Sequence, residues 1–428
     1  MSPSISSSIP ISIFNTIPHS NPFQKLTHLA STSIARAHRI KNSQNAPTST
    51  TPLFPYSGAY SISLGFGTPP QNIPMIIDTG SSFSWLPCTK RYICKNCAFS
   101  LEKNISSFLP KQSSSAKILG CNNPKCGWVH KSFDPNASCR ESQTCPPYII
   151  LYGLGSTGGL AMVETLNMPD EKIPGFLVGC SIFSSDQPAG VAGFGRGNSS
   201  FTSQLGLKKF SHCLVSHKFD NTSKSSLLYM DSSFNSDKKT ENLSYTPFLK
   251  NPVSDYYYVG LRKITVGGRK VEVSYKQLKL DYSSGDGGTI VDSGSTFTYM
   301  SKAIFDEVAN AFIEGAEGYK RDESVESLTG LRPCFDVIGE NTVKMPGLKF
   351  HFKGGVDIEF PLENYFFAAD DGNQKLVMCL AVVTDNTLLG PEVNGGPSVI
   401  LGNFMMQDFH VEYDLRNERF GFKQQSCS

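Results

Sequence analysis

Two short segments of the sequence end an apolar run with an aspartate that is followed at once by a small polar residue and a glycine. The first reads IIDTGSSFSW (residues 76–85) and the second IVDSGSTFTY (residues 290–299), and they match at every position by residue or by type. Either aspartate alone could be a turn former that hydrogen-bonds its own backbone, with Gly80 supplying a positive φ. The repetition favours a joint function for Asp78 and Asp292, which are 292 − 78 = 214 residues apart.

Two such aspartates could hydrolyse an amide bond. If related halves of the chain meet at a pseudo-two-fold axis, Asp78 and Asp292 lie side by side and cannot both ionise easily, so they share one proton. The ionised carboxylate then takes a proton from a bound water, and the protonated one donates to the carbonyl oxygen and later to the leaving nitrogen. This chemistry uses no metal, no other cofactor and no covalent intermediate.

The neighbouring residues are consistent with this chemistry, although each could also merely satisfy its local turn. The glycines would let the backbone pass close behind each carboxylate, and the hydroxyls could hold the two turns together. The predicted support residues are Thr79, Gly80, Ser81, Ser293, Gly294 and Ser295.

A second internal repetition supports two related halves. Val191–Gly195 follows the first aspartate by about the interval at which Val399–Asn403 follows the second, and Gly402 and Gly193 are 402 − 193 = 209 residues apart. We therefore predict a presegment (1–54), an N-terminal β lobe (55–245) and a C-terminal β lobe (246–428), with a polar linker at Asp231 to Tyr245.

Short β-type runs dominate the chain, and two helices interrupt them. The segment GAYSISLGFG (58–67) alternates apolar and small residues, the period of a half-buried strand. The amphipathic stretch from Lys302 to about Ile313, after the potential cap Ser301, predicts a helix packed on a sheet. A helical pattern also covers Leu26 to Arg39, within a leader otherwise rich in Ser, Thr, Pro and Asn that we interpret as lying outside the core.

From Tyr60 to Cys427 the chain resembles the pepsin-like (A1) aspartic proteases, and within them the plant nepenthesin-like branch. The resemblance implies a mainly β, bilobal pepsin-like fold with a cleft between the lobes and Asp78 and Asp292 as the catalytic dyad. In the motif YGLGSTGG, Tyr152 and Gly153 match the flap that closes over substrate, and Trp85 would hydrogen-bond the tyrosine. The expected activity is acid-dependent, pepstatin-sensitive endoproteolysis of an extended peptide or unfolded protein by a monomer.

Twelve cysteines indicate an oxidising compartment. Cys94-x-x-Cys97 has the spacing of a zinc site, but no second pair completes it. The resemblance implies the disulfides Cys88–Cys94, Cys97–Cys180, Cys121–Cys145, Cys126–Cys139, Cys213–Cys427 and Cys334–Cys379.

The secretory route agrees with five potential glycosylation sites, at Asn104, Asn136, Asn198, Asn221 and Asn242. The apolar run Ile9 to Phe14 is short for a signal sequence, so the signal is weak or the sequence begins downstream of it. No run reaches the ~18 apolar residues of a membrane span. We expect a secreted protein of the extracellular space or cell wall, with the vacuole as an alternative.

The distribution of charge separates the leader from the rest of the chain. The net charge of +2 provides no basic field for nucleic acid, but the 77 residues before Asp78 contain no acid. Of the 39 Lys and Arg residues four lie there, which leaves 35 against 37 acids, or −2, for residues 78–428. We expect leader cations to occupy an acidic cleft at neutral pH and to loosen on acidification. Those cations are Lys25, Arg36, Arg39 and Lys41.

Two other functions compete with aspartic proteolysis. A trypsin-like serine hydrolase would use Ser293 and His212, but it leaves Asp78 without a function and finds threonine, Thr79, at the equivalent serine position. A catalytically weak or inactive pepsin-fold binding or inhibitor protein is the alternative from another class. The intact second motif and Tyr152 favour the enzyme.

Overall fold

The computed structural model describes residues 6–13, 22–41, 58–95, 97, 105–130, 143–152, 155–168, 171–187, 189–216, 226–232, 240–340, 343–370, 375–385 and 395–427. The architecture is mainly β, as predicted. Among these residues no helix is long and apolar enough to cross a bilayer.

Twelve of the described strands belong to the first half of the chain. They are β1 Ser6–Ile13, β2 Tyr60–Phe66, β3 Gln71–Asp78, β4 Trp85–Pro87, β5 Ile93–Lys95, β6 Lys117–Ile118, β7 Tyr148–Leu151, β8 Ser156–Asn167, β9 Lys172–Ser185, β10 Gly190–Gly193, β11 Lys209–Cys213 and β12 Ser226–Asp231.

The second half contributes the remaining described strands. They are β13 Ser244–Leu249, β14 Tyr258–Val259, β15 Leu261–Val266, β16 Arg269–Lys270, β17 Thr289–Asp292, β18 Thr298–Met300, β19 Lys320–Arg321, β20 Cys334–Asp336, β21 Leu348–Phe352, β22 Val356–Phe360, β23 Phe366–Asp370, β24 Leu376–Leu380, β25 Val382–Val383, β26 Val399–Gly402, β27 Phe409–Asp414 and β28 Arg419–Gln424.

The described helices are few and mostly short. They are α1 Pro22–Lys41, α2 Cys126–Val129, α3 Phe201–Gln204, α4 Tyr275–Leu278, α5 Lys302–Gly315 and α6 Glu323–Thr329, with 3₁₀ turns at Pro110–Gln112, Leu362–Asn364 and Asn403–Met406. Helix α5 confirms the amphipathic prediction, because Ile304, Phe305, Val308 and Phe312 are buried. Ser301 is its N-cap residue but makes no side-chain capping bond.

An antiparallel sheet joins the two halves. Its strands lie in the order β2, β1, β12, β11, β27, β28, β13, and the halves meet where β11 pairs with β27. The disulfide Cys213–Cys427 ties the end of β11 to the C-terminal segment beyond β28. Of the described strands in this sheet, four come from the N-terminal half and three from the C-terminal half, so the two lobes share one continuous hydrogen-bonded layer.

Each lobe repeats the same small unit next to this sheet. In the N-terminal lobe, β3 runs parallel to β10, and β10 also pairs antiparallel with β4. In the C-terminal lobe, β17 runs parallel to β26, and β26 pairs antiparallel with β18. One of the two aspartate motifs forms the turn that connects β3 to β4, and the other forms the turn that connects β17 to β18. The predicted relation between the halves is thus visible in strand order and direction.

The leader contributes to the core, which corrects our interpretation of it as lying outside. Helix α1 is present, as predicted, but Leu26, Ile34 and Ala37 are fully buried in a cluster formed with C-terminal-lobe residues such as Ile290. The physical reason is that α1 is amphipathic: its apolar face needs a partner, and the C-terminal lobe supplies one. Strand β1 likewise pairs with β2 and β12.

Candidate active site

The two aspartates occupy equivalent places in the two repeated units. Asp78 is the last residue of β3, opposite Gly193 of β10, and Asp292 is the last residue of β17, opposite Gly402 of β26. Both strands are buried at their ends, and the two aspartates are 1% and 0% exposed. Hydrogen bonds between Thr79 and Ser293, the residues that follow the two strands, bring the strand ends together and with them the two carboxylates.

Each carboxylate is fixed by the turn that follows it. The backbone N–H of Gly80 donates to Oδ1 of Asp78 at 2.9 Å, and the Ser81 hydroxyl donates to Oδ2 at 2.7 Å. The C-terminal lobe repeats both bonds: Gly294 N donates to Asp292 Oδ1 at 3.1 Å, and Ser295 Oγ donates to Asp292 Oδ2 at 2.6 Å. The charge of each aspartate therefore has local donors, which lowers the cost of burying it.

The residues after the aspartates lock the two turns to each other. Ser293 N donates to Oγ1 of Thr79 at 2.9 Å, and Thr79 N donates to Oγ of Ser293 at 3.2 Å. The two hydroxyls in turn donate across the interface, Thr79 to the Val291 carbonyl at 3.3 Å and Ser293 to the Ile77 carbonyl at 3.0 Å. This reciprocal set holds the two strand ends in one fixed arrangement.

Both glycines of the motifs face the carboxylate of the other lobe. A Cβ built on Gly80 would lie 2.6 Å from Oδ1 of Asp292, and a Cβ on Gly294 would lie 2.6 Å from Oδ1 of Asp78. Neither glycine has a positive φ. The requirement is therefore the close approach of a carboxylate and not, as the turn-former interpretation had it, an unusual backbone angle.

A cation from the leader lies between the two carboxylates. Arg36 of α1 donates from Nε to Oδ2 of Asp292 at 2.5 Å and from Nη2 to Oδ1 of the same residue at 3.0 Å. The same Nη2 also donates to Oδ1 of Asp78. One guanidinium thus contacts both carboxylates, and its side chain is 12% exposed.

The guanidinium and the carboxylates stabilise each other's charged forms. Burial alone would raise the pKa of Asp292, but the charge and hydrogen bonds of Arg36, with the bonds from Ser295 and Gly294, hold that pKa below its ordinary value. For Arg36, burial acts to lower the pKa, and attraction to Asp292 and Asp78 outweighs it, so the pKa is raised. The site as described is therefore a buried ion cluster with the carboxylate of Asp292 ionised.

The residue seven positions after each aspartate makes a side-chain bond near the site. In the N-terminal lobe, Trp85 Nε1 donates to the Tyr152 hydroxyl at 2.5 Å, the contact that the family resemblance implies. Gly153, the other predicted flap residue, lies outside the described residues. In the C-terminal lobe, the Tyr299 hydroxyl donates to Oδ2 of Asp385 at 2.8 Å.

Sequence reasoning missed Asp385 and its second contact. Oδ1 of Asp385 contacts Nε2 of His38, two residues after Arg36 on α1. No motif marks Asp385, which follows the short strand β25 at 385 − 292 = 93 residues from the second aspartate. A weak signal for Arg36 was present, because it is one of the four leader cations.

The disulfides of the N-terminal lobe correct the implied pattern. Cys88 pairs with Cys180 and Cys94 with Cys97, in place of Cys88–Cys94 and Cys97–Cys180. The reason is the parallel pairing of β4 with β9, which puts the Cα atoms of Cys88 and Cys180 5.2 Å apart. The zinc interpretation of Cys94 and Cys97 is also wrong, because their sulfur atoms are bonded to each other.

A second exchange of partners occurs around α2. Cys126 pairs with Cys145, in place of the implied Cys121–Cys145 and Cys126–Cys139, because Cys126 opens α2 with its Cα 5.7 Å from that of Cys145. Cys121 is also disulfide-bonded, and Cys139 lies outside the described residues. The implied bonds Cys213–Cys427 and Cys334–Cys379 are present.

Two of the potential glycosylation sites can be located. Asn198 and Asn242 are both exposed, and Asn242 has a positive φ of 63° in a turn. Asn104, Asn136 and Asn221 lie outside the described residues. Within the described part of the chain, no group of three or more His, Cys, Asp or Glu side chains is placed to hold a metal ion.

The repeated units, the shared sheet and the paired carboxylates define a class of protein: two-lobed β proteins with an aspartate pair between the lobes. Comparison with known sequences and structures agrees. Family models described as xylanase inhibitor N-terminal and C-terminal match residues 60–230 and 256–424. A crystal structure of a protein called edgp shares the fold with a TM-score of 0.63 and 20% identity, covering 86% of this chain and 92% of that one.

Curated relatives identify the family. A probable aspartyl protease of Arabidopsis thaliana is 31% identical over 86% of this chain and 82% of its own length. Aspartic proteinase nepenthesin-2 of Nepenthes gracilis is 31% identical over 88% of this chain and 80% of its own length. The chain belongs to the pepsin-like family of aspartic proteases and is an aspartic-type endopeptidase by class.

Proposed function

We propose that the protein is an acid-dependent, pepstatin-sensitive aspartic endopeptidase that uses Asp78 and Asp292 as its catalytic pair. The observation that carries this proposal is that a single guanidinium, that of Arg36, contacts both carboxylates. Two carboxylates that can share one cation can also share one water and one proton.

The equivalent hydrogen bonds of the two turns allow either aspartate to be the acid while the other is the base. In both aspartates Oδ1 accepts a backbone N–H bond and Oδ2 accepts a hydroxyl, from Ser81 or Ser295. A water in the place of the guanidinium would lie against both carboxylates. The ionised partner takes its proton as it attacks the scissile carbonyl, while the protonated partner donates first to the carbonyl oxygen and then to the leaving nitrogen.

The substrate we propose is an extended peptide or an unfolded protein, bound between the lobes by main-chain hydrogen bonds. Tyr152, held by Trp85 on the N-terminal-lobe side, would close over it as the flap. The Thr79–Ser293 lock keeps the two carboxylates in register while substrates enter and products leave. These steps require no metal or other cofactor.

Residues 1–54 are proposed to act as an inhibitory presegment. Arg36 occupies the position that water and the scissile bond need, and the apolar face of α1 anchors it on the C-terminal lobe. The sign of the pH effect follows from the Asp292 pKa, which is lower with Arg36 in place than without it. Attachment of the presegment is fully favoured above the pKa of the open site and weakens as pH falls from that value through the lowered one. Acidification should therefore release α1.

We further propose that the protein is a secreted, glycosylated monomer of the extracellular space, cell wall or vacuole. The five disulfides formed between described cysteines support an oxidising compartment. The exposure of Asn198 and Asn242 is compatible with glycans at these positions. Mass spectrometry of the protein from its native tissue, with and without glycosidase, tests both points.

A non-catalytic binding or inhibitor protein of the same fold is the second candidate, since the matching family models are described as xylanase inhibitor domains. The two candidates differ in whether a water can be activated. Retention of both aspartates, with equivalent hydrogen bonds to each, favours the enzyme.

The test is cleavage of denatured globin by the acid-treated full chain, from acidic to neutral pH, with and without pepstatin. We expect cleavage that increases as pH falls, is blocked by pepstatin and disappears in both Asp78→Asn and Asp292→Asn. The matched control is Asp281→Asn, because Asp281 is an exposed aspartate in a surface turn.

Two outcomes would overturn the proposal in different ways. Cleavage that survives either active-site substitution would mean that the two aspartates are not a pair. A folded, acid-treated wild-type protein that cleaves nothing would move the protein to the binding class.

A further inference from the structure

We propose that Asp385, held by Tyr299, forms an acidic subsite that selects a basic side chain of the peptide substrate near the scissile bond. This inference rests on the proposed peptidase function and adds a substrate preference to it. Its ligand class is a peptide with lysine, arginine or protonated histidine at one defined position.

The same helix, α1, contacts both the catalytic pair and Asp385. Arg36, which contacts both carboxylates, and His38, which contacts Asp385, are two residues apart on α1. Side chains two positions apart project from different sides of a helix, so α1 covers the catalytic pair with Arg36 and Asp385 with His38. Release of α1 therefore uncovers both, and a peptide that takes the place of α1 can reach both.

The carboxylate of Asp385 is held in one orientation. Tyr299 is buried on β18, and its hydroxyl donates to Oδ2 at 2.8 Å, which fixes the plane of the carboxylate. Oδ1 contacts the imidazole of His38. Strand β18 pairs with β25, the strand that precedes Asp385, so both residues are attached to the same rigid sheet.

The group that contacts Asp385 is His38 of α1, which belongs to the presegment that we propose is released on acidification. Asp385 is 6% exposed with α1 in place, and His38 forms part of its cover. When α1 is released, a carboxylate already oriented by Tyr299 faces the substrate cleft. A carboxylate whose orientation is already fixed favours a cationic side chain, because the charge-assisted hydrogen bond needs no reorientation of the acceptor. The side chain of His38 marks the place that the substrate's basic side chain would take.

The contact is more than a surface ion pair, as a second aspartate–histidine pair in the chain shows. His351 Nδ1 lies 2.8 Å from Oδ1 of Asp357, a distance typical of a charge-assisted hydrogen bond. The Asp357 side chain is 50% exposed, however, whereas that of Asp385 is 3% exposed. Exposed pairs contribute little because water competes for both charges. Asp357 is therefore the matched control for Asp385.

The experiment uses the acid-treated full chain and a set of matched peptides at about pH 4, close to the ordinary pKa of aspartate, so that attachment of the presegment is weakened while about half of an ordinary aspartate stays ionised. The peptides share one apolar cleavage site and carry Lys or its neutral isostere norleucine at each of three positions on either side of it. We expect one position at which Lys raises kcat/KM at least about tenfold over norleucine, the size of a charge-assisted bond of about 1.5 kcal/mol. Asp385→Asn should abolish that preference, so that the Lys and norleucine peptides are cleaved equally, whereas Asp357→Asn should preserve it.

A second measurement does not depend on turnover. The same Lys and norleucine series is built on peptides in which statine replaces the scissile residue, and their Kd values are measured by calorimetry for the wild type and Asp385→Asn. An Asp385-dependent advantage of Lys at one position supports the subsite even if no peptide is cleaved, a result that would defeat the proposed function alone. Equal values for Lys and norleucine at every position, with cleavage intact, would overturn the subsite and leave the peptidase function standing.

Discussion

The two aspartate turns are nearly identical at the carboxylates and differ at the residue seven positions later. Around Asp78 and Asp292 the donors, the glycines and the locking hydroxyls repeat in both lobes. At 85 − 78 = 7 and 299 − 292 = 7, however, the N-terminal lobe has Trp85 bonded to Tyr152, and the C-terminal lobe has Tyr299 bonded to Asp385. The repeat thus preserves the hydrogen bonds around the carboxylates, while the difference underlies the two tasks that we propose for the sides of the cleft, closing over substrate and selecting it.

The equivalence of the two turns predicts that their glycines are equally sensitive. In Gly80→Ala or Gly294→Ala the new methyl group would lie 2.6 Å from the opposite carboxylate and displace it. We expect kcat to fall on the order of 100-fold in each, since a displacement of about 1 Å has that effect on a catalytic group. Steady-state assays of both variants measure this, with Gly120→Ala as a control because a Cβ added there would meet no atom of the described residues within 4 Å. A loss confined to one variant would break the equivalence.

A buried histidine in the sheet that joins the lobes affects the free energy of unfolding in acid. His212 on β11 is buried, and neither ring nitrogen has a hydrogen-bond partner among the described residues. Burial, together with repulsion from His410, lowers its pKa to about 3. The pKa of His212 in the folded protein lies below its unfolded value of about 6.5, so the unfolded chain gains a proton first as pH falls. The free energy of unfolding is therefore unaffected above about pH 6.5 and decreases as pH falls from about 6.5 to about 3. In His212→Leu the free energy of unfolding should therefore decrease less between pH 7 and pH 4.5, by about 2 to 3 kcal/mol.

Urea titrations at the two pH values measure the effect of His212→Leu. The control is His351→Gln, at a partly exposed histidine paired with a surface aspartate. An unchanged pH dependence in His212→Leu would mean that His212 gains a proton in the folded protein at little cost.

Ser81 and Ser295 allow the proton affinities of the two aspartates to be compared. Ser295→Ala removes a hydrogen bond that lowers the pKa of Asp292, so that pKa should rise and the acid limb of the kcat/KM profile should move to higher pH. We expect about a tenfold loss of kcat, typical of a bond to a charged group. Ser81→Ala removes the equivalent bond to Asp78. Full pH profiles of both variants show whether the two aspartates respond alike, and a profile that does not move in Ser295→Ala would contradict the assignment of that bond.

The smallest expected effects separate the two tasks of the cleft. Trp85→Phe removes the donor to Tyr152 and should lower kcat/KM about fivefold for every peptide, because a neutral hydrogen bond contributes about 1 kcal/mol. Tyr299→Phe removes the donor to Asp385 and should lower kcat/KM by a similar factor for peptides with a basic residue at the selected position. If Tyr299→Phe affects all peptides alike, the proposal that the C-terminal-lobe side of the cleft selects a basic side chain is wrong.

The local part of the site could be predicted from the sequence. The duplicated motifs carry both aspartates, both glycines and the locking hydroxyls, because each turn forms from consecutive residues and the repeat indicates the symmetry. From the sequence, the cation that contacts the two carboxylates could be any of the four in the leader, of which Arg36 is one. Which of them reaches the site depends on the face of α1 that packs on the C-terminal lobe, and this is a property of the tertiary fold.

Contacts between distant segments that neither the repeat nor the family resemblance indicates were not predictable. Asp385 meets Tyr299 because β25 lies beside β18, and nothing near either residue in the sequence indicates that pairing. The disulfide exchange has the same origin: the parallel placement of β4 and β9 brings Cys88 to Cys180, whereas spacing alone is compatible with several partners.

The most direct test of the central claim is a calorimetric titration of the acid-treated protein with pepstatin, for the wild type, Asp78→Asn and Asp292→Asn. If the two carboxylates form one site, the wild type binds one pepstatin per chain, and each substitution alone abolishes or severely weakens that binding. Unchanged binding by either variant would contradict a shared site, because a ligand held between two carboxylates has to respond to the loss of each.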